Sequence, residues 1–438
     1  MAASLHGVIV PHRKSTRKIP ALRMDPPKTV TLPMSMHIGK PATPIVKVGD
    51  LVKVGQKIGE QNGYVSSPVY ATVSGKVTKI VDFLLYNGTT TPAVVIESDG
   101  EMAPYEGVAA PTVNSREDLI AAIRDSGIVG LGGAGFPTYV KFDVDPARID
   151  YLVINGAECE PYVTSDTLTM VNRAEDMAVA LNALAEHIGI REVIIGIENN
   201  KKTAIRTMRE MAKSITSCHV SVRSLASLYP QGGEKVLVYH TTGRVIPTGK
   251  LPIDAGCVVI NCTTLAAIGA CLQTGMPLVE KCVTVDGGCV REPRNIIAPI
   301  GTAISELFEV CGGLKHVPAK LVYGGPMMGV TVPNDTAPVL KSSNAVLALT
   351  AKESKLPKTT NCIRCGACTN VCPFGLNPAG ISHCVKVGDV KSLKLLHVDA
   401  CMECGCCSYI CPANRPLVQR NQLGKAMLRE EITKEGVK

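Results

Sequence analysis

Between residues 46 and 80 the chain reads VKVGDLVKVGQKIGEQNGYVSSPVYATVSGKVTKI, in which apolar and polar residues alternate in short runs broken by Val-x-x-Gly turns. Alternation with period two puts every second side chain on one face, and the glycines end each run after a few residues, so this segment predicts a small β sandwich. Past a proline- and glycine-rich joint at residues 103–111 the period lengthens. Asn114 or Ser115 can cap a helix that runs to Arg124, with Asp118 in its first turn. The runs YLVI (151–154) and EVIIGI (192–197) read as short buried strands, residues 173–187 between them have helical spacing, and another helix starts over residues 205–211. Strands alternating with helices predict a parallel sheet. Residues 282–331 return to mainly β patterning with one helix (304–311) and a YGGP turn at 323–326. A polar, proline-marked linker (352–360) leads to the last part, and residues 425–438 predict a charged helix with a fraying end.

The length of 438 residues allows two to four domains, and 45% hydrophobic with 19% charged residues describes a folded, turn-rich protein. The absence of tryptophan and an aromatic content of 4% leave little material for stacking bases, which speaks against a nucleic-acid partner. A net charge of +8 is modest at this length. Its densest patch is His12, Arg13, Lys14, Arg17 and Lys18, which reads either as a solvated basic tail or as a contact for an acidic partner or anionic membrane. The first thirty residues lack the apolar core of a signal peptide. The most apolar stretch, residues 257–276, is interrupted by Asn261, Thr263, Thr264, Gln273 and Thr274 and does not read as a membrane span. The expectation is a protein of the reducing cytoplasm, held at a membrane, if at all, by other subunits.

The 18 cysteines are unevenly spread. Two runs share one spacing: Cys362, Cys365, Cys368, Cys372 followed by Pro373, and Cys401, Cys404, Cys407, Cys411 followed by Pro412. This is the pattern of bacterial two-cluster ferredoxins, in which each [4Fe–4S] cube takes three cysteines from one run and the fourth from the other. Cys362, Cys365, Cys368 and Cys411 are therefore expected to hold one cube, and Cys401, Cys404, Cys407 and Cys372 the other. A zinc site would need paired knuckles but neither the third cysteine nor the proline. Cys406 breaks the spacing and is not expected to ligate. The nine isolated cysteines read as small buried apolar residues.

Single-electron carriers need a source. Residues 130–135, GLGGAG, satisfy G-x-G-x-x-G, but Phe136 and Pro137 follow at once where a dinucleotide-binding fold would continue into a helix. The glycines still let backbone amides approach a phosphate or a flat ring closely. The strand at 151–154 ends in Asn155, Glu158 and Glu160, which could grip ribose hydroxyls and ring nitrogens or could form a polar turn.

Taken together, GLGGAGFPTYVKF and YLVINGAECEP resemble the flavin- and NADH-binding core of the NADH-oxidising subunit of respiratory complex I, and more closely the RnfC subunit family of Rnf ion-translocating electron transport complexes. HIGKPATPIVKVGD and YGGPMMG also look like RnfC, and the likeness follows the whole chain in order. It implies a multidomain α/β and α+β architecture. Residues 1–105 would form a barrel-sandwich domain, similar to lipoyl carriers but with no lysine between Glu60 and Gly75 to bear a swinging arm. Residues 112–255 would form a Rossmann-like FMN/NADH-binding domain, 256–340 a β-grasp (SLBB) domain, and 355–438 a ferredoxin-like helical domain with two [4Fe–4S] clusters.

Carried over by position, the resemblance implies that Gly132, Gly133 and Gly135 line the cofactor cavity and that Lys141 meets the flavin phosphate or ribityl chain. Asn155, Glu158 and Asn261 would contact the flavin, Glu160 and Glu234 would lie near the nicotinamide nucleotide, and Phe136 would stack on it. The chain departs from the complex I pattern at Gly233, where that pattern has a glutamate, and at Gly156-Ala157, where it has an acid. The implied activity is electron exchange between NAD(H), FMN and the two clusters, without an acid–base catalyst. The protein would be peripheral, on the cytoplasmic face of a bacterial membrane. Integral subunits that move Na⁺ or H⁺ and ferredoxin, met directly or through an iron–sulfur subunit, would be its partners. The alternative is a soluble flavin/iron–sulfur reductase similar to the cobalamin reductases of microcompartments; there the glycine-rich core lies near the amino terminus, whereas here about 110 residues precede it.

Overall fold

The structure, a computed structural model, describes residues 6–436. The alternating segment forms two antiparallel sheets. One holds Thr29–Pro33, Thr90–Ser98, Gly75–Leu84 and Leu51–Val52 in that spatial order, and the other Thr43–Pro44, Lys57–Glu60 and Val69–Tyr70. Val30, Leu32, Ile58, Val69, Val77, Val94 and Ile96 fill the space between them. The hairpin that would carry a carrier domain's lysine is instead fixed in place. Buried Lys341 donates through Nζ to Ser67 Oγ (3.1 Å), Pro68 O (2.6 Å) and Gly127 O (2.8 Å), binding the hairpin to the next domain. Burial lowers the Lys341 ammonium to about 7, and carbonyl oxygens are the groups that make burying it tolerable.

The α/β unit is a four-stranded parallel sheet in the order His219–Leu225, Glu192–Glu198, Tyr151–Asn155, Cys257–Asn261. The apolar runs are buried on both faces, as helix-covered parallel strands require. Helices Ala174–Ile188, Lys202–Ser214 and Cys262–Thr274 contribute to this cover. Ser115 caps the helix Arg116–Asp125 by accepting from Asp118 N. The expected joint at residue 255 falls inside this unit, because Cys257–Asn261 ladders with Tyr151–Asn155 and its helix packs on Ala174–Ile188. Asn155 and Asn261 are paired in register at the carboxyl ends of neighbouring strands, the edge where parallel sheets open a ligand crevice.

A third sheet is mixed and six-stranded: Leu22–Arg23, Arg294–Pro299, Glu280–Asp286, Ala345–Leu349, Lys320–Tyr323 and Val330–Val332, with helix Ile304–Val310. Its membership runs past residue 340, and its edge strand comes from the start of the chain. Residues 6–28 thus lie outside the two sandwich sheets. Val8 bridges to Tyr229, and Tyr162 N donates to His12 O (3.0 Å). This corrects the picture of a solvated basic tail: Lys14 is buried, and Arg13 pairs with Glu353 and lies over the Tyr162 ring.

The last unit is helical, built on Leu376, Ile381, Val385, Leu393, Val398 and Leu428. Its final helix, Leu417–Gly436, starts well before the expected 425; Val437 and Lys438 lie outside the described residues. Among the described residues no helix is long and apolar enough to cross a membrane.

Candidate functional site

At the carboxyl ends of the parallel strands lies a cavity of about 510 Å³, within the range of roughly 300–1,000 Å³ usual for small-molecule and cofactor sites. Its glycine-rich wall is closed by two backbone bonds, Gly130 N to Phe136 O (2.8 Å) and Gly135 N to Gly130 O (3.0 Å). Leu131 N donates to Thr264 Oγ1 (2.9 Å), and buried Lys281 donates to Leu131 O. A Cβ on Gly132 would stand 2.9 Å from Asn261 Nδ2, so only glycine lets the loop lie against the asparagine. Gly133 has φ +120° and nothing within 4 Å of a Cβ position, which leaves open space for a ligand to approach the backbone. Gly132 and Gly133 line the cavity, but Gly135 and Phe136 do not. A Cβ on Gly135 would meet Met36, His37 and Ser342 rather than the cavity. A short helix, Thr138–Phe142, follows Pro137 after all and carries Lys141 to the cavity. Lys141 Nζ donates to Val259 O (2.7 Å) and lies 3.6 Å from Glu234 Oε1.

Asn155, Glu158, Glu160, Glu234 and Asn261 all reach the same cavity. Asn155 Nδ2 donates to Gly232 O (2.9 Å), and its Oδ1 accepts from Ala157 N (3.2 Å). Asn261 caps helix Cys262–Thr274 through Oδ1 and donates from Nδ2 to Asp166 Oδ2 (2.8 Å). The two carboxylates after Asn155 differ. Glu158 Oε1 accepts from Asp166 N (2.8 Å) and Thr167 N (3.0 Å), its Oε2 accepts from Thr167 Oγ1, and Lys14 Nζ is 3.7 Å away. It therefore braces the first turn of helix Ser165–Asn172. Glu160 accepts from Met327 N (3.0 Å) and Met328 N (2.8 Å), and burial raises its pKa to about 7. Gly325 allows this contact, since a Cβ there would fall 2.2 Å from Glu160 Oε2.

Several residues that shape or line the cavity were not visible in the sequence as such. Lys14 Nζ donates to Glu158 O and Glu160 O (both 2.8 Å) and to Val163 O, locking a turn in which Glu158 (φ +48°) and Tyr162 (φ +69°) adopt left-handed backbone. Such conformations at non-glycine residues cost about 1–3 kcal/mol each and persist only where the surroundings enforce them. Cys159 lines the cavity and accepts from Gly232 N, while burial pushes its thiol to about 12. YGGPMMG, singled out only as a likeness, supplies the amides that hold Glu160. Met402, from the second cysteine run, also faces the cavity. Its Cε would lie 2.3 Å from a Cβ on Gly233, so the space a side chain at 233 would take belongs to the helical unit.

The two runs fold alike. Arg364 (φ +56°) matches Glu403 (φ +61°), Gly366 (+76°) matches Gly405 (+80°), and Gly375 (+64°) matches Asn414 (+50°). Backbone amides of Arg364 and Glu403 each point at the thiol two residues earlier, Cys362 and Cys401, at 3.4 Å. Cys372, Cys401, Cys404 and Cys407 surround one small cavity; Cys362, Cys365, Cys368 and Cys411 surround another. Among the described residues no three His, Cys, Asp or Glu side chains close on a single ion. Four thiols spaced around a void suit a polynuclear cube and amide donors suit its sulfurs, so these residues fit such clusters. Cys406 borders the first of these cavities as well, and its thiol is directed at Tyr229 O. The Tyr229 hydroxyl donates to Cys404 O (2.7 Å).

Four family models match the chain in order. They are the RnfC barrel sandwich hybrid domain over residues 3–101, the Nuo51 FMN-binding domain over 123–270, the SLBB domain over 282–331 and a 4Fe-4S binding domain over 358–376. Three relatives are each the component designated C of their complex. The chain is 41% identical to that of the Na(+)-translocating ferredoxin:NAD(+) oxidoreductase complex of Acetobacterium woodii, covering 86% of each. It is 38% identical to that of the proton-translocating ferredoxin:NAD(+) oxidoreductase complex of Clostridium ljungdahlii (87% of this chain, 84% of that one). It is 40% identical to that of the ion-translocating oxidoreductase complex of Rhodobacter capsulatus (99% and 84%). Among solved structures, an NAD+-reducing [NiFe]-hydrogenase in the H2-reduced state aligns with a TM-score of 0.51 at 18% identity, covering 72% of this chain and 63% of that one, a likeness of fold. The units are thus a barrel sandwich, an FMN-binding α/β domain, an SLBB domain and a 4Fe–4S domain.

Proposed function

The chain belongs to the RnfC family, and we propose that it is the peripheral subunit through which a membrane-bound Rnf-type ferredoxin:NAD⁺ oxidoreductase exchanges electrons with NAD(H), by way of FMN and two [4Fe–4S] clusters. Integral subunits would couple this exchange to Na⁺ or H⁺ movement, with this chain on the cytoplasmic face. The observation that carries the reading is that Met402, between cluster-type cysteines, lines the same cavity as Lys141, Asn155 and Asn261. A flavin supplies the conversion needed there, taking two electrons as a hydride and releasing them singly. Gly132 and Gly133 keep the wall open to a flat ring, and Lys141 offers positive charge for a phosphate or ribityl chain. Asn155 and Asn261, held by backbone bonds, present amides with fixed orientation. Glu160 and Glu234 offer acceptors to nucleotide hydroxyls, whereas Glu158 keeps the turn in place.

The test is NADH-driven reduction of ferricyanide or viologen by the chain loaded with FMN and iron–sulfur clusters; absence of that activity overturns the reading. Glu160→Gln is expected to weaken nucleotide use and leave the cluster spectrum intact, and loss of iron instead would refute the site assignment. Co-purification with multi-span subunits separates the Rnf-type reading from a soluble flavin/iron–sulfur reductase.

A further inference from the structure

The barrel sandwich reaches the cavity through one hairpin, which joins strands Gly75–Leu84 and Thr90–Ser98. Its tip is tied down. Leu85 N donates to Thr89 O and Gly88 N to Leu85 O (both 2.9 Å), Asn87 Oδ1 accepts from Thr89 N (3.1 Å) and Thr89 Oγ1 (2.8 Å), and the Leu85 side chain is buried. Tyr86 sits between these bonds and lines the cavity. Its ring stands edge-on to that of Tyr323, with centroids 6.1 Å apart and planes at 81°, an arrangement that ring quadrupoles favour. Tyr323 is itself buried, and its hydroxyl donates to Pro338 O (2.5 Å), so Tyr86 leans on a fixed ring. Among the described residues the aromatic side chains lining the cavity are Tyr86, Tyr229 and Tyr323. The last two are 2% and 7% exposed, whereas Tyr86 is 45% exposed, so it alone offers a free ring face. Half-free Met328 and Val330 line the same cavity and add apolar surface. One wall runs from the strand ends to Tyr86. Asn261 lies against Gly132, Gly132 O accepts from Asn344 Nδ2 (3.5 Å), Asn344 Oδ1 stands 3.7 Å from a Cβ position on Gly324, and Gly324 follows Tyr323.

We propose that Tyr86 stacks on the adenine of NAD(H), so that the sandwich domain supplies the base-binding wall of the nucleotide site. The inference rests on the reading of this cavity as the FMN and NAD(H) site. A dinucleotide carries two flat rings. The nicotinamide must lie on the flavin to pass its hydride, which leaves the adenine to be covered elsewhere. Stacking on an aromatic ring covers a base without demanding hydrogen bonds from it, and the far end of the wall from Asn261 holds the one ring free to do so. The tied hairpin tip and the buried Tyr323 ring fix Tyr86 before the nucleotide arrives, so little freedom is lost when it binds. A carrier-type fold that lacks the carrier's lysine thereby has a use in binding substrate.

The experiment uses the full chain loaded with FMN and clusters. It measures ferricyanide reduction by NADH and by reduced nicotinamide mononucleotide, which lacks the adenylate half, and binding of ADP-ribose by calorimetry. Tyr86→Ala is expected to raise KM for NADH and to weaken ADP-ribose binding by about tenfold each. Its effect on kcat, and on KM for the mononucleotide, should stay within about twofold, as loss of binding remote from the reacting ring requires. Tyr86→Phe keeps the ring and should restore both nucleotide values to near those of the parent. Leu84→Ala, at a 62% exposed position of the same hairpin that does not line the cavity, should behave as the parent does. Equal losses with NADH and the mononucleotide in Tyr86→Ala overturn the proposal, as does an equal loss in Leu84→Ala. Equal ADP-ribose binding by Tyr86→Ala and the parent overturns it too. A parent that binds ADP-ribose but oxidises no NADH refutes the reading of the cavity as an electron-transfer site instead, so the two failures are distinguishable.

Discussion

The two cysteine runs have one spacing and one backbone conformation, yet their surroundings are opposite. Cys404 and Cys407 of the second run are buried with Cys372, whereas Cys362 and Cys365 of the first are open to solvent. The difference is imposed from outside the helical unit. Val8 and Val10 from the start of the chain, Tyr229 from the α/β unit and Met327 from the third sheet's turn pack around Cys404 and Cys406. Nothing comparable covers the first run among the described residues. Local sequence thus builds two alike loops, and tertiary packing buries one beside the cavity and leaves the other at the surface.

Replacing one thiol of each set is the strongest way to break this comparison. Cys407→Ser and Cys365→Ser should each remove about half of the chain's cluster iron, one cube of two. Only the inner replacement should stop NADH from reducing the remaining cluster, read by electron paramagnetic resonance after NADH addition. Equal reduction in both variants would contradict the assigned order.

Lys14 is the next lever, because it ties the amino-terminal segment that carries Val8 and Val10 to the turn at Glu158–Val163, and Val8, Val10 and Cys159 pack with Cys404 and Cys406. Lys14→Met leaves Glu158 buried without its cation, a loss expected to cost about 3–5 kcal/mol in denaturant unfolding. It should also speed iron removal by a chelator from the inner set more than from the outer.

Tyr229→Phe should act on the inner run alone. It strips the buried carbonyl of Cys404 of its donor, at a cost of about 1–3 kcal/mol; an unchanged unfolding midpoint would show that the bond contributes nothing.

The smallest effect concerns Glu160. Its folded pKa of about 7 lies above the ordinary 4.5, so between those values the folded chain holds a proton the unfolded chain has lost. Stability therefore falls as pH rises from about 4.5 to about 7. Glu160→Gln should flatten that part of the profile in thermal unfolding, and an unaltered slope would remove Glu160 as its source.

Much of the fold was legible because it rests on periodicity and punctuation. Ser115 caps its helix, YLVI and EVIIGI are neighbouring parallel strands, and residues 46–80 lie within the sandwich. The joint at 255 was misplaced because CVVIN reads equally as the end of one sheet or the start of another, and only its ladder with Tyr151–Asn155 decides. Asn155 and Glu160, picked out at a strand end, and Lys141, Glu234 and Asn261, implied by the resemblance, all line the cavity. Lys14, more than 140 residues from the turn it grips, carried no signal beyond membership of a basic patch. Phe136, expected to stack on the nucleotide, is not among the residues that line the cavity, and spacing does not encode which side of a loop a side chain takes.

By itself the sequence determined the two cysteine runs of one spacing and the glycine-rich loop ahead of a polar strand end, because residue spacing and backbone freedom are local properties. Only the tertiary structure decided which cysteine run sends a residue, Met402, to the cavity, that Glu158 braces the turn while Glu160 meets the Met327 and Met328 amides, and that Gly233 yields its space to Met402. Those outcomes depend on burial and on contacts between distant segments, and both exist only once the domains have packed.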